Sequence, residues 1–335
     1  MTGTCLGSRP SHLLYTGLVC LCDKLSHVRA NPSTHAPYAA LAVATVAFGL
    51  SFVAIKVALR GFEPLLGAFL RFALAGGVLY VAWLLFGGAE RKAKCASRAE
   101  LARLALLGFV SLTVYISLEN LGIARTSAGV AAVLAGAIPV FVIVLNAFTL
   151  HEANGARQWA GVVISFAGIV GLVGFGTGIE RGTLLGNLLV LGASLAVAVY
   201  TLMARQLLID LPALYVTTYQ TLFGALFIVP AVIVEALIVG VRTPTWSAAG
   251  GIVYLAIGAS AVGYVLYNYA LRFVEASRVS VFMNLTPVVG IAGAYFLLGE
   301  RFTLGQAIAA LVVGAGVWLA NSGSRCAGAT CPPTA

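Results

Sequence analysis
The chain is 335 residues long, 60% hydrophobic and only 9% charged, with a formal net charge of +9, and its mean hydropathy is +0.99. These values exclude a soluble domain. They also remove the nucleic-acid reading that such a charge would carry in one, because the basic residues fall in short gaps between apolar runs that a lipid bilayer accommodates.

Residues 1–37 come first and read as a disordered tail, or as the product of an upstream start codon. The apolar run 13–21 is too short to span a membrane. His12, His27 and His35 lie near Cys5, Cys20 and Cys22, but their spacing matches no zinc pattern. From Tyr38 to Asn321, apolar stretches of about 20 residues recur, each long enough to cross a ~30 Å hydrocarbon core as helix. Breaks at charges, Pro and Gly place spans at 38–58, 65–86, 102–121, 127–148, 157–176, 183–203, 213–239, 248–270, 276–298 and 303–321. This predicts an all-α integral membrane protein of ten transmembrane helices, followed by a C-terminal tail at 322–335. Barrel strands would alternate apolar and polar residues over about ten positions, and this chain does not.

The basic residues orient those spans. The densest block is Arg91, Lys92, Lys94 and Arg98 between spans two and three, and with a cytoplasmic N-terminus thirteen of the twenty Lys and Arg face inward. The positive-inside rule then puts both termini in the cytoplasm of a plasma-membrane protein. All six cysteines (the three above with Cys95, Cys326 and Cys331) lie outside the spans, where they are expected as reduced thiols.

Residues 120–168 return without a gap 148 positions later as 268–316, with about a dozen identities. Asn120/Asn268, Pro139/Pro287, Glu152/Glu300 and Gln158/Gln306 carry the register, since apolar matches are cheap in such a chain. The repeat divides the protein into five-span units at 38–176 and 183–321, joined by a Gly-rich stretch. Five is odd, so the second unit must enter the membrane from the opposite side, giving two inverted five-helix repeats. Two near-equivalent packings of such halves, one open to each side, are the physical basis of alternating access.

The chain also resembles the EamA type of the drug/metabolite transporter superfamily. The stretches that carry the resemblance are Phe48-Gly-Leu-Ser-Phe-Val-Ala-Ile-Lys56, Glu63-Pro64 with Arg71-Phe72, Thr126-Ser-Ala-Gly129, Pro139-Val-Phe141 before Glu152, and Pro287 before Gly299-Glu300-Arg301. They cover about residues 38–322, and Phe48 stands where the family more often has Trp. The resemblance implies an integral-membrane carrier, in most members an exporter of small metabolites, and does not fix a substrate.

The polar residues inside so greasy a chain are the candidates for function. Lys56, Arg71 and Glu119 are the charges nearest the membrane interior, and each is a functional residue by default or, for Lys56 and Arg71, a side chain that snorkels to the headgroups. Glu119 is too short to escape and adjoins repeat-paired Asn120, so it suits a substrate ammonium or a proton. Ser51, Tyr115, Asn120, Tyr200, Tyr264, Tyr267, Asn268 and Asn284 complete the predicted substrate-binding set, with Asn146 beside them. Tyr264, Tyr267 and Asn268 share one helix face by their spacing, and buried Asn also serves as glue between helices. Glu235 reads as interfacial. Pro139 and Pro287, at matching mid-span places, are expected to kink their helices as hinges.

No lysine follows a glycine, so there is no P-loop and ATP is not the direct energy source. No metal, cofactor or catalytic motif appears, and no enzyme is expected. The reading is a secondary transporter, monomeric or homodimeric, that exports a small amino-acid-like metabolite. Alternatives are a drug-type efflux protein or facilitator, then a channel, and last an intramembrane enzyme.

Overall fold
In lipid, each backbone N–H and C=O must be satisfied within the chain. The computed structural model meets that demand with helix alone over its described residues, which are 35–86, 97–149, 155–175, 181–274, 279, 282–301 and 303–322. Outside them lie most of the N-terminal tail with its cysteines, His12 and His27, the basic block 91–94, Glu152 and the C-terminal tail from residue 323. The same holds for the side chain of Asn146.

The helices are α1 (His35–Ala58), α2 (Pro64–Phe86), α3 (Arg98–Ile123), α4 (Ala128–Ala135), α5 (Ile138–Thr149), α6 (Ala156–Phe175), α7 (Arg181–Leu208), α8 (Ala213–Val239), α9 (Trp246–Phe273), α10 (Leu285–Leu298) and α11 (Leu304–Ser322). Seven helical stretches, α4 and α5 counting together, are long and apolar enough to cross a membrane, and α6, α10 and α11 are shorter apolar helices. The protein is therefore an all-α, multi-pass membrane protein. Caps start three of the helices: Ser97, Ser127 and Thr245, all in extended backbone, accept from Glu100, Val130 and Ala248 N–H at the heads of α3, α4 and α9. α1 begins at His35, inside the stretch read as tail, and Pro37 sits in its first turn, where a missing N–H costs no helical bond.

The fourth span is two helices, not one. α4 ends in the turn at Gly136 and Ala137, and α5 starts at Ile138 with Pro139 as its second residue. Pro139 has no N–H to give the carbonyl of Ala135, so the ladder cannot run through the turn. A turn at Asn284 likewise precedes α10, where Pro287 is third. Both prolines stand in first turns and not mid-helix as expected; they mark breaks already made by the turns before them.

The repeat register carries further. Adding 148 to the bounds of α3 gives residues 246–271, the span of α9 to within two residues. Each of these helices is interrupted by π-helical turns, Phe109–Val114 in α3 and Leu255–Gly263 in α9, and the register superposes them. π-turns shift the face that follows and occur often at functional sites.

Contacts follow the same register. α1 packs on α9 and α10, while its counterpart α7 packs on α3, α4 and α5. The like-numbered spans pair with one another, α2 with α8 and α6 with α11. α6 and α11 approach so closely that a methyl on Gly168 would lie 2.7 Å from Val313 N. Such close approach of small residues is the usual means of helix association in lipid. Two apolar cores result. One, around Phe72, Leu107, Ile116 and Val216, joins α1 to α2, α3, α7, α8 and α9. The other, around Ile55, Val133, Val140 and Val313, joins α1 to α4, α5, α6, α10 and α11.

Candidate substrate site between the repeats
Polar side chains gather where α1, α2, α3, α7, α8 and α9 meet. Arg71 on α2 is 2% exposed and Glu119 on α3 is 3% exposed. Arg71 Nε donates to Ser260 Oγ at 2.6 Å, inside the π segment of α9. The Tyr115 hydroxyl donates to Glu119 Oε1 at 2.8 Å, one turn along α3. Arg71 lies within electrostatic reach of Glu119, Tyr115 and Tyr264, yet Arg71 Nη1 and Glu119 Oε2 are buried without a hydrogen-bond partner. Leaving a buried polar atom unmet costs about 1–3 kcal/mol, more for a charged group. Two opposite charges within electrostatic reach of one another each keep an open bonding position.

An aromatic and amide wall stands beside them. The Tyr200 hydroxyl donates to Asn268 Oδ1 at 2.8 Å, and Asn268 Nδ2 donates to Thr217 Oγ1 at 2.8 Å. Tyr267 shares a 3.0 Å hydrogen bond with Thr201. The rings of Tyr200, Tyr264, Tyr267 and Phe48 cluster, with centroids 5.3–6.3 Å apart. Spacing alone had put Tyr264, Tyr267 and Asn268 on one face of their helix; the structure adds Tyr200 opposite them.

Other predicted residues lie elsewhere. Ser51 bonds back to Phe48 O within α1 at 2.6 Å. Asn120 Nδ2 ties α3 to Pro64 O at 2.9 Å, the glue role weighed for it. Asn284 and Pro287 border a separate groove against α11. Lys56 spends its charge on backbone carbonyls. Its ammonium donates to Ile123 O at 2.9 Å and Thr126 O at 2.6 Å, closing the C-terminal end of α3.

Three carboxylates do defined work at this same end of the bundle. Glu300, between α10 and α11, accepts from Ala128 N and Gly129 N at 2.9 Å each, capping α4 of the other repeat. Glu235 of α8, read as merely interfacial, accepts from Leu65 N and Leu66 N at 2.9–3.1 Å, capping α2 of the other repeat. Glu63, 2% exposed, accepts from Arg242 N at 3.1 Å and pairs with its guanidinium at 3.4 Å. A carboxylate at a helix N-terminus gains from both the free N–H groups and the helix dipole. Three acidic side chains thus clamp one repeat to the other across a single end. Thr126 Oγ1 bonding Asn187 Oδ1 at 2.8 Å adds a fourth tie, to α7.

A sequence profile of the EamA-like transporter family matches residues 36–174 and again residues 184–322. The chain belongs to the EamA-like transporter family. Each match covers one repeat, and the two are offset by the 148 residues read from the sequence (184 − 36). An uncharacterized transporter of Archaeoglobus fulgidus is 31% identical over 79% of this chain and 91% of its own. A probable terminal-alkyne amino-acid exporter of Streptantibioticus cattleyicolor is 30% identical over 78% of this chain and 85% of its own. A probable amino-acid metabolite efflux pump of Escherichia coli K12 is 27% identical over 84% and 93%. A solved crystal structure at 17% identity shares the fold, with a TM-score of 0.63 over 86% of this chain and 97% of that one. This EamA protein is therefore a membrane transporter acting on small molecules.

Proposed function
We propose that this EamA protein is a secondary transporter that exports a small amino-acid-like zwitterion across the plasma membrane by alternating access, and that it has no catalytic activity. Its ten crossings form two inverted five-helix repeats, with both termini in the cytoplasm. The clamped end of the bundle is then the external one. Support for inversion comes from α1 and α7, which are repeat counterparts. α1 finishes at that end, beside Ile123 and Thr126, where the early turns of α7 lie around Asn187.

The observation that carries the substrate class is the pair of open positions on Arg71 and Glu119. A planar guanidinium suits a carboxylate, and a carboxylate suits an ammonium. A zwitterion offers both at once and relieves both unmet charges, while Tyr200, Tyr264 and Tyr267 flank its side chain. The names of the Streptantibioticus and Escherichia relatives favour the same class. A sensitivity screen tests it: cells with and without the protein are challenged with amino acids and toxic analogues. Expression should protect against a subset of zwitterionic compounds. Protection only against cationic or lipophilic drugs would replace this reading with drug efflux.

A further inference from the structure
We infer that the groove between α10 and α11 is a binding site for one acyl chain of a bilayer lipid, present in the second repeat and filled by protein in the first. The groove encloses about 550 Å³, the size of a ligand site. Its walls are the α4 end (Val133, Gly136), α10 (Pro287, Val288, Ile291) and α11 from Ala307 to Val317. The ten steps from Ala307 to Val317 along α11 make it ~15 Å long at 1.5 Å per residue.

The repeat register explains why it exists. Subtracting 148 from Ala307 and Gly314 gives Trp159 and Phe166. In the first repeat these large side chains stand on α6, and the Phe166 ring packs edge-on against Phe141 of α5 at 5.8 Å. In the second repeat the same places hold a methyl and a hydrogen. The first repeat thus seats the Phe166 ring against α5 where the second repeat leaves its groove open.

What occupies it follows from where it opens. Val288 is 61% and Leu311 74% exposed at its walls, so the mouth looks outward among the apolar faces of the membrane-crossing helices. Hydrocarbon is the solvent there, and an empty groove of this size would forfeit its dispersion contacts. Apart from Asn284 the lining side chains are apolar, which suits a tail and offers nothing to a headgroup. The groove ends against Gly136 and Pro287, at the two helix breaks, so a tail seated in it bears on the segments that must move if the prolines are hinges.

The test uses the full chain in vesicles of phosphatidylethanolamine and phosphatidylglycerol, doped with phosphatidylglycerol carrying a diazirine on one acyl chain. After photolysis, adducts are mapped by peptide mass spectrometry. Adducts should concentrate several-fold on residues 288–291 and 307–317 over other lipid-facing helices, and should fall to the background of those helices in the A307W/G314F variant. The mirror variant W159A/F166G should gain adducts at 140–143 and 159–166, which keeps the test decisive if the first variant folds poorly. Uniform labelling of all lipid-facing helices, indifferent to both variants, would overturn the proposal. Loss of adducts in Asn284→Leu would also overturn it, since an acyl chain makes no hydrogen bond to that amide.

Discussion

Removing one charge at the clamped end should unlatch it. Glu300 holds the heads of Ala128 and Gly129 with two hydrogen bonds of 2.9 Å, and Glu300→Gln keeps the shape but leaves one acceptor and no charge. Losing a cap costs about 1 kcal/mol, and losing the charge opposite the helix dipole costs about 0.3–1 kcal/mol more. The clamp joins one repeat to the other, so this loss of ~1.3–2 kcal/mol falls on the closed arrangement and not on either repeat alone. At a factor of ten per ~1.4 kcal/mol, the open population should rise roughly 10- to 30-fold. The assay is the rate at which a membrane-impermeant maleimide labels Ala58→Cys, a buried position at that end, with the six native cysteines replaced by serine. Glu235→Gln should act in the same direction through Leu65 and Leu66. An unchanged labelling rate in Glu300→Gln, in protein that keeps its wild-type unfolding temperature, would show that the carboxylate caps a helix without latching the halves.

Further outcomes follow from the same geometry. Reporter fusions after Lys92 and Arg325 should read cytoplasmic and one after Arg181 external; opposite readings at 92 and 325 would break the ten-crossing topology. Pro139→Ala restores an N–H that can reach Ala135 O, and Pro287→Ala does the same towards Met283 O. Each should slow transport while leaving expression near normal, and wild-type uptake would leave the prolines as packing residues. Glu119→Gln removes the anchor for the ammonium and should depress exchange of zwitterions along with pH-driven accumulation in proteoliposomes; exchange and proton dependence both unaltered would remove Glu119 from the site.

The membrane character, the repeat and the family were legible in the sequence because they rest on long apolar runs and on rare polar residues in fixed register, such as Asn120/Asn268 and Glu152/Glu300. The aromatic face of α9 was legible for the same reason. The roles of Lys56, Glu235 and Glu300 were not. Each partners backbone atoms of a distant segment, and backbone leaves no mark in a sequence. The break between α4 and α5 was half visible: Pro139 announced a disturbance, but the turn that makes it comes two residues earlier, at Gly136 and Ala137, where no side chain signals it. Ser260 escaped notice because a lone serine in an apolar run usually bonds its own helix, as Ser51 does. Comparing the aligned repeats for differences, and not only for identities, would have exposed the Trp159/Ala307 and Phe166/Gly314 exchanges.

The central claim is that a carried zwitterion bridges Arg71 and Glu119, and counterflow tests it most directly. Purified protein is reconstituted into vesicles loaded with one unlabelled amino acid at a time, and uptake of the labelled compound is followed with no ion gradient present. The prediction is saturable counterflow for a subset of amino acids, abolished by Arg71→Gln and, for compounds lacking the ammonium, absent in the wild type. Counterflow that survives Arg71→Gln undiminished, or that accepts the carboxylate-free amine as readily as the amino acid, would contradict it.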